Sequence, residues 1–297
     1  MTKKERKSKK DRKPKTITVS CMNLTISPHP YGVYEDFILK NVNNEVHAFG
    51  EERAQIVNAS KRQMHKKKWA LCGYLLVYTE LIKGGAWFDV QAREVISGEE
   101  AENIQLPENY RPNVKSFRFV FDLERHELFY ERINDKDQKL PPKKLKKILE
   151  NMAETEGVRR EFPDVSVTVM PTKDALEKVL AVPNLKKLEI RLERPNADDI
   201  EDHKHRLMRR LEAMGARKED IILTKAKGAM ALVPDEETKI LARVGSISGY
   251  VRAIGKTLAG MLVDRKTTDY PYEETVELDG SDPFEIIFGL IDNEALE

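Results

Sequence analysis

KSFRFVFDLERHELFYERI, residues 115–133, decides the fold class of this chain. Its two halves, 115–122 and 126–133, each alternate apolar and polar residues, a period of two that is typical of half-buried strands. Residues 123–125 join the two runs over a length that suits a tight turn. The stretch therefore predicts an antiparallel β-hairpin.

Helices and strands alternate on the C-terminal side of this hairpin. Apolar residues recur there with helical or with alternating spacing, in segments bounded by Pro, Gly, Asn and Asp. We predict helices at 140–154, 173–182, 197–214, 235–244 and 282–296, and strands at 165–169, 186–193, 220–227, 249–256, 258–266 and 272–278.

The N-terminal side is richer in strands. TITVSCMNLTI (16–26) and WALCGYLLVYTEL (69–81) are β-branched or continuously apolar, which favours strands buried in a sheet. We predict a helix at 34–42, further strands at 46–49, 54–59, 87–90 and 94–96, and a basic connector at 61–68.

Together these elements predict an α+β fold with mixed, mainly antiparallel sheets and short helices, arranged in two lobes. We expect a disordered basic arm at 1–15, because that segment lacks apolar residues. An N-terminal α+β lobe is predicted at 16–112 and a C-terminal α+β lobe at 113–297.

Charge is unevenly distributed along the chain. The formal net charge of the 297 residues is +1, yet residues 1–15 carry nine Lys and Arg against Glu5 and Asp11. The remaining residues hold 42 basic and 48 acidic side chains. A cationic arm thus precedes an anionic body, so any phosphate site on the body must be a local patch.

Only two cysteines occur, Cys21 and Cys72, so the sequence predicts no disulfide framework. The basic N-terminus lacks the apolar stretch of a signal peptide, and no apolar run reaches the length of a membrane span. We expect a cytoplasmic protein without membrane insertion.

Two segments imitate known ligand motifs. GYVRAIGKT (249–257) has five residues between Gly249 and Gly255, where a P-loop has four, and a strand follows it instead of a helix. We predict a hairpin turn at 255–257.

DDIEDHKHR (198–206) carries His203 and His205 two residues apart, so they point in different directions on a helix. A solvated helix face explains these two histidines better than a metal site.

The predicted helix at 140–154 has a sharply divided surface. Leu145, Ile148, Leu149 and Met152 follow the spacing of a buried stripe, and four lysines fall on the opposite side. These lysines oppose the helix dipole near the N-terminus, a penalty that a bound phosphate would reverse. Lysine-rich exposed helices are common, however, so the sequence favours a solvated lysine face, with the phosphate site as the alternative.

A second basic patch lies in the connector that precedes the strand at 69–81. Trp69 and Tyr74 are close to it in the sequence. Because they lie in an apolar strand, we predict that both rings belong to the core and do not stack on bases.

Landmarks distributed over residues 20–280 resemble an uncharacterised bacterial family known as domain of unknown function 4747. The residues that carry the resemblance are Asn23–Ile26, Pro28, His29, Tyr34, Tyr78, Thr79, Trp87–Asp89, Pro112, Asn113, Phe119–Asp122, His126, Phe129, Glu131, Pro163–Val169, Leu185–Ile190, Pro195, Asn196, Asp198, Asp199, Gly249–Val251 and Gly255. The family carries no established activity. Its members tend to sit among mobile-element and anti-phage genes.

The order of elements is also similar to that of the phage-exclusion protein RexA and the Kiwa defence protein KwaB. Hairpin, basic helix, strand, helix and the LKKLEIRL strand follow one another in the same sequence. That similarity implies a homodimer that holds duplex DNA without reading its bases, although the acidic body of this chain departs from such a surface.

The leading hypothesis is therefore a non-enzymatic component of a prokaryotic anti-phage defence or mobile-element system that binds nucleic acid, chiefly duplex DNA, without sequence specificity. The predicted phosphate contacts are Lys3, Lys4, Arg6, Lys7, Lys9, Lys10, Arg12, Lys13 and Lys15 in the arm, Lys61, Arg62, Lys66, Lys67 and Lys68 in the connector, and Lys143, Lys144, Lys146 and Lys147 in the helix. We predict no cofactor, no bound metal and no catalytic residue.

Two alternatives remain open. The chain could be a sensor or adaptor that recognises a protein partner from the same gene neighbourhood through an exposed apolar surface or a strand edge. It could also be a metal-dependent nuclease in which folding brings together carboxylates such as Asp89, Asp122 and Glu131.

Overall fold

A computed structural model describes residues 14–64, 68–81, 85–98, 107, 109–194 and 202–293 of the chain. In chain order its elements are β1 (Thr16–Ser27), α1 (Val33–Lys40), β2 (Val46–Phe49), β3 (Glu52–Gln63), β4 (Trp69–Thr79), β5 (Trp87–Asp89), β6 (Glu94–Ile96), β7 (Lys115–Asp122), β8 (Glu127–Ile133), α2 (Pro142–Glu154), α3 (Glu156–Arg159), β9 (Asp164–Val169), α4 (Ala175–Leu180), β10 (Lys187–Glu193), α5 (Asp202–Ala213), β11 (Lys218–Thr224), α6 (Glu236–Ile247), β12 (Gly249–Lys256), β13 (Leu262–Lys266), a 3-10 turn (Thr267–Asp269), β14 (Glu273–Glu277) and α7 (Pro283–Asp292).

Eight strands form one large antiparallel sheet in the order β14-β1-β8-β7-β4-β3-β2, and β9 also pairs with β1. The hairpin predicted from 115–133 is the β7–β8 pair, in which Phe119 lies opposite Tyr130 and Asp122 opposite Glu127. His126 closes its turn in the left-handed region at φ 60° and donates its N–H to the Asp122 carbonyl.

Strand β1 is the strand that joins this sheet together. On one side it pairs with β8; on the other, residues 16–20 pair with β14 and residues 22–27 pair with β9. Most of its residues are buried, so both of its faces contribute to cores. Met22 and Leu24 pack in the cluster that includes α1 and α2, whereas Ile17 and Val19 pack in the cluster that includes α7.

A second, smaller antiparallel sheet has the order β11-β10-β12-β13. Alternate residues of β10 and β12, such as Ile190 and Val251, are buried in a cluster with residues of α5 and α6. The intervening residues on the outer face are at most half-buried, among them Arg191 and Tyr250. Strands β5 and β6 form a separate two-stranded sheet.

The predicted α+β class with mainly antiparallel sheets and short helices is confirmed.

The predicted lobe boundary at 112/113 falls inside the large sheet. Strands β4 and β7 pair across it, from Ala70 with Asp122 to Val77 with Lys115. The large sheet also recruits β14 from near the end of the chain. Pairing between distant strands therefore governs how the chain is organised in space. The predicted arm lies outside the described residues except for Pro14 and Lys15.

The predicted turn at 255–257 is corrected by the structure. Gly255 belongs to β12 and pairs with Val263, and the chain reverses between Lys256 and Leu262. A Cβ atom at Gly255 would lie 2.3 Å from the Pro183 carbonyl oxygen. Glycine is required there for close backbone packing.

We expect Gly255→Ala to lower the free energy of unfolding by about 1–3 kcal/mol, because the added methyl group overlaps a backbone oxygen that cannot rotate away. Chemical denaturation measures the change. Gly157→Ala is the matched control, since no atom lies within 4 Å of the Cβ position in α3. Equal stability of the two variants would contradict the close-packing account.

Candidate nucleic-acid interface

Helix α2 is built as its sequence predicts. Leu145, Ile148, Leu149 and Met152 are at most 2 % exposed and form part of the larger core. The helix starts at Pro142, and its first turn holds no acidic residue. Its four lysines lie away from this buried stripe, and two of them, Lys143 and Lys147, are exposed.

The four lysines of α2 meet different neighbours. Lys144 donates to a Glu52 carboxylate oxygen, and Lys115 Nζ lies 3.1 Å from the other oxygen of the same carboxylate. Lys146 donates to the Val167 carbonyl oxygen and lies 3.3 Å from Glu150. These two lysines are engaged within the protein.

Lys143 and Lys147 are the outward members of the set. The Lys143 side chain is 84 % exposed, and its Nζ lies 3.9 Å from Asp269 Oδ1. Lys147 is also exposed. These two ammonium groups are the ones on α2 that can reach an external phosphate without first breaking a close ion pair.

The second predicted patch is largely neutralised where the structure describes it. Lys61 Nζ lies 2.7 Å from Glu35 Oε2, and Lys68 Nζ lies 2.8 Å from Glu124 Oε2. The Arg62 guanidinium stacks 4.5 Å from the centroid of the Phe284 ring. The predicted contacts Lys66 and Lys67 lie outside the described residues.

The prediction that Trp69 belongs to the core is wrong. Its side chain is 47 % exposed, and Lys61 Nζ lies 5.9 Å from the ring centroid. Trp69 is the first residue of β4, before the strand enters the sheet interior. Tyr74, further along the strand, packs edge-on against Phe284, with ring centroids 5.6 Å apart.

A cationic group absent from the sequence prediction lies on the outer face of the small sheet. Lys266 Nζ lies 3.5 Å from the centroid of the Tyr250 ring, and Arg191 Cζ lies 4.9 Å from the same centroid. Arg191 and Tyr250 are direct cross-strand partners. We call Arg191, Tyr250 and Lys266 the tyrosine-centred cluster.

Helix α2 adds charge to this cluster. Burial lowers the pKa of Lys266, and the positive charges of Arg191, Lys146 and Lys143 lower it further, against the opposing effect of Asp269. The alternation of apolar and polar residues in β10 and β12 would have been enough to predict from the sequence that Arg191 and Tyr250 lie on the outer face of the small sheet. The position of Lys266 within reach of the α2 charges depends on tertiary packing.

The carboxylates considered for a nuclease have structural roles. Glu131 accepts hydrogen bonds from the Arg118 backbone N–H and side chain, each at 2.7 Å. Asp122 Oδ1 accepts from two backbone N–H groups in the β7–β8 turn. Arg118 and Asp122 are four residues apart on β7, so the two carboxylates are separated by roughly 13 Å along the strands.

Asp89 caps the turn between β5 and β6 by accepting from the N–H groups of Gln91 and Ala92. It therefore stands in a different sheet from Asp122 and Glu131. Within the described ranges, no group of three or more His, Cys, Asp and Glu side chains could hold a metal ion.

Residues 15–284 match the profile of the domain of unknown function DUF4747. The chain belongs to the DUF4747 family. The match covers every strand and both cationic groups described above, and the resemblance read from the sequence landmarks is confirmed. No curated protein matches the chain. The similarity in layout to RexA and KwaB stays a prediction.

Three DUF4747 landmarks of this chain meet in space. The His126 ring stacks on Tyr34 with centroids 3.9 Å apart, and the His29 ring lies edge-on to both at 5.1 Å. Tyr34 and His126 are buried. The contact joins the β7–β8 turn to α1 and to the segment after β1, so it has a clear role in packing.

None of the helices in the described part of this DUF4747 chain is both long enough and apolar enough to cross a membrane.

The Glu52 carboxylate provides a test of the ion pairs that engage Lys144. Although burial raises the pKa of Glu52, the hydrogen bonds and charges of Lys144 and Lys115 leave it below its usual value. A lowered folded-state pKa stabilises the protein above the ordinary pKa and loses that effect as the pH falls through the folded-state value. We expect Glu52→Gln to reduce the free energy of unfolding by about 0.5–1 kcal/mol at pH 7 and by much less near pH 3.

Urea denaturation across that pH range measures the difference. Glu51→Gln, at the neighbouring exposed residue, is the control and should change stability little at either pH. A deficit of Glu52→Gln that stays constant down to pH 3 would show that these ion pairs do not contribute as described.

Proposed function

We propose that this DUF4747 protein binds nucleic acid, chiefly duplex DNA, through the phosphate backbone and without reading the base sequence. We further propose that it acts in a prokaryotic anti-phage defence or mobile-element setting. The observation that carries the proposal is the separation of charge, with nine basic residues among the first fifteen and an excess of acidic residues in the rest.

The cationic groups of the body complement the arm. Lys143 and Lys147 are exposed on α2, and the tyrosine-centred cluster lies near the same helix. Residues 1–13 can span at most about 45 Å when fully extended. Residue 16 lies only about 20 Å along β1 from residue 22, where pairing with β9 begins. The arm is therefore long enough to contact the same duplex as the body.

The ion pairs of the fold change which of the predicted lysines we assign as main phosphate contacts. Lys61, Lys68 and Lys144 each have a carboxylate partner in the fold, so their contribution to phosphate binding carries the cost of breaking that pair. We therefore assign the main contacts to the arm and to Lys143 and Lys147, with the other predicted lysines as secondary contacts.

Deleting residues 1–13 should remove most of the salt dependence of binding. If about six arm charges neutralise phosphates, the arm alone should contribute about −5 to the slope of log K against log salt concentration. We expect a slope of about −2 or shallower after deletion, measured by fluorescence anisotropy with a labelled duplex. The truncated chain keeps Lys15, whose carbonyl accepts from Leu278 and so helps to hold β1.

Lys239→Gln supplies the control, because Lys239 is on α6 in an i,i+3 ion pair with Glu236 and should leave the slope unchanged. Identical affinity and slope before and after the deletion would eliminate the arm. Absence of any shift with DNA or RNA at low salt would overturn nucleic-acid binding itself.

A second candidate function is supported by one exposed apolar feature. The tip of the β12–β13 hairpin carries Leu258, Met261 and Leu262, which are 100 %, 65 % and 68 % exposed. Contiguous exposed apolar side chains are typical of protein-binding surfaces. We propose as the alternative that the chain is an adaptor that docks a protein partner from its gene neighbourhood at this tip.

The adaptor function predicts an association that resists nuclease and high salt and depends on the tip. Replacing Leu258 and Met261 by Ser should abolish co-purification with proteins expressed from the same gene neighbourhood. Deleting residues 1–13 should leave it unchanged. Co-purification that is lost on nuclease treatment would refute the adaptor function and favour the nucleic-acid proposal.

A further inference from the structure

Lys266 is a half-buried cation without a salt-bridge partner. Among the described residues, no carboxylate oxygen lies within 4.0 Å of its Nζ, whereas most buried ammonium groups in proteins are paired. The ammonium group instead lies 3.5 Å from the Tyr250 ring centroid. A cation–π contact of this kind holds the group in place but does not neutralise its charge.

Three further positive charges act on this ammonium group from other elements. Arg191 lies on β10 at the same Tyr250 ring, and Lys143 and Lys146 lie on α2, where Lys143 faces the Asp269 carboxylate that accepts from the Lys266 backbone. Like charges brought together on separate rigid elements repel one another, and a bound anion would turn that repulsion into attraction. Because the backbone of these elements is already ordered, little conformational entropy is lost when the anion binds.

The neighbouring carboxylates leave room for such an anion. Asp220 accepts from Arg191 Nε and Nη2 at 2.7 and 3.1 Å, so Nη1 takes no part in that pair. Asp269 accepts from the Lys266 backbone N–H at 3.1 Å and lies 3.9 Å from Lys143 Nζ. Glu150 faces Lys146 at 3.3 Å. These contacts orient the cations while the Lys266 ammonium stays unpaired.

We propose that the tyrosine-centred cluster, together with Lys143, is a surface site for a phosphomonoester, to which Lys146, engaged by Val167 and Glu150, adds only its charge. A phosphomonoester carries a charge of about −1.5 to −2 at pH 7 and three acceptor oxygens, and a backbone phosphodiester carries a single charge. A group of four cations that includes one guanidinium suits the more highly charged species. The source is the terminal phosphate of a nucleic acid or a small phosphorylated molecule, and both present this group.

This site goes beyond the proposed function, because contact with a duplex backbone requires no preference for chain ends. Tyr250 has a positioning role in it. Its ring, on the strand between β10 and β13, contacts both Arg191 and Lys266 and so fixes the spacing of the two cations that a phosphate would bridge.

The test uses the full chain and two duplexes that differ only in a 5′-phosphate or a 5′-hydroxyl group. In competition anisotropy at 150 mM salt, we expect the phosphorylated duplex to bind about ten-fold more tightly, which is about 1.4 kcal/mol. Inorganic phosphate should raise the melting temperature relative to chloride at equal ionic strength. Lys266→Gln should abolish the phosphate-dependent rise and bring the ratio of affinities below about two-fold, and Lys266→Arg should retain most of both effects.

Lys187→Gln is the matched control. Lys187 is on the same outer face, in an ion pair with Glu189 at 2.5 Å, and it does not belong to the cluster. Its variant should keep both the preference for the 5′-phosphate and the thermal shift. The melting temperature of each variant without phosphate reports whether the fold is intact.

The possible results distinguish the two sources of the phosphomonoester. They also distinguish failure of this site from failure of the proposed function. A preference for the phosphorylated duplex identifies a nucleic-acid terminus, and a thermal shift without that preference identifies a small phosphorylated molecule. Failure of both duplexes to bind refutes the proposed function, while the thermal shift still decides the site. Equal affinities with no thermal shift, or effects that survive Lys266→Gln, overturn the phosphomonoester site.

Discussion

The architecture depends on one constraint: β1 must find hydrogen-bonding partners along both of its edges and apolar contacts on both of its faces. Its backbone is paired on one side by β8 and on the other by β14 and β9. Its alternate side chains enter two different cores. Because unpaired buried backbone groups are costly, strands from the start, middle and end of the chain must assemble together. The large sheet therefore cannot be divided at a point in the sequence.

Helix α2 connects that sheet to the cationic surface. Its apolar stripe is held in the core, so the positions of its lysines follow from how the helix is seated. Glu52 engages Lys144, the Val167 carbonyl engages Lys146, and Lys143 projects near Lys266. Packing thus divides four similar lysines into structural and accessible ones. Of the two accessible lysines, Lys143 faces Asp269 beside the cations of the small sheet, so this region is a local exception to an acidic body.

Short-range sequence patterns were enough to predict the helices and strands, but they predicted only part of the candidate site. The hairpin at 115–133, the stripe of α2 and the alternation of β10 are short-range periodicities, and all three are present in the structure. The burial of Trp69 and the turn at 255–257 were mispredicted. Both depend on where a strand ends relative to its neighbours, which composition does not encode. The tyrosine-centred cluster was missed because its members lie 59 residues apart or more, apart from Tyr250 and Lys266 on one hairpin.

The sequence by itself determined the α+β class, the family, the buried faces of the helices and the separation of a basic arm from an acidic body. These properties depend on residue type and short-range spacing, which a linear chain displays directly. Only the tertiary structure decided which strands share a sheet, which lysines are neutralised and which cations meet at Tyr250. Those outcomes depend on distances between residues remote in sequence, because electrostatic and packing energies fall with separation in space.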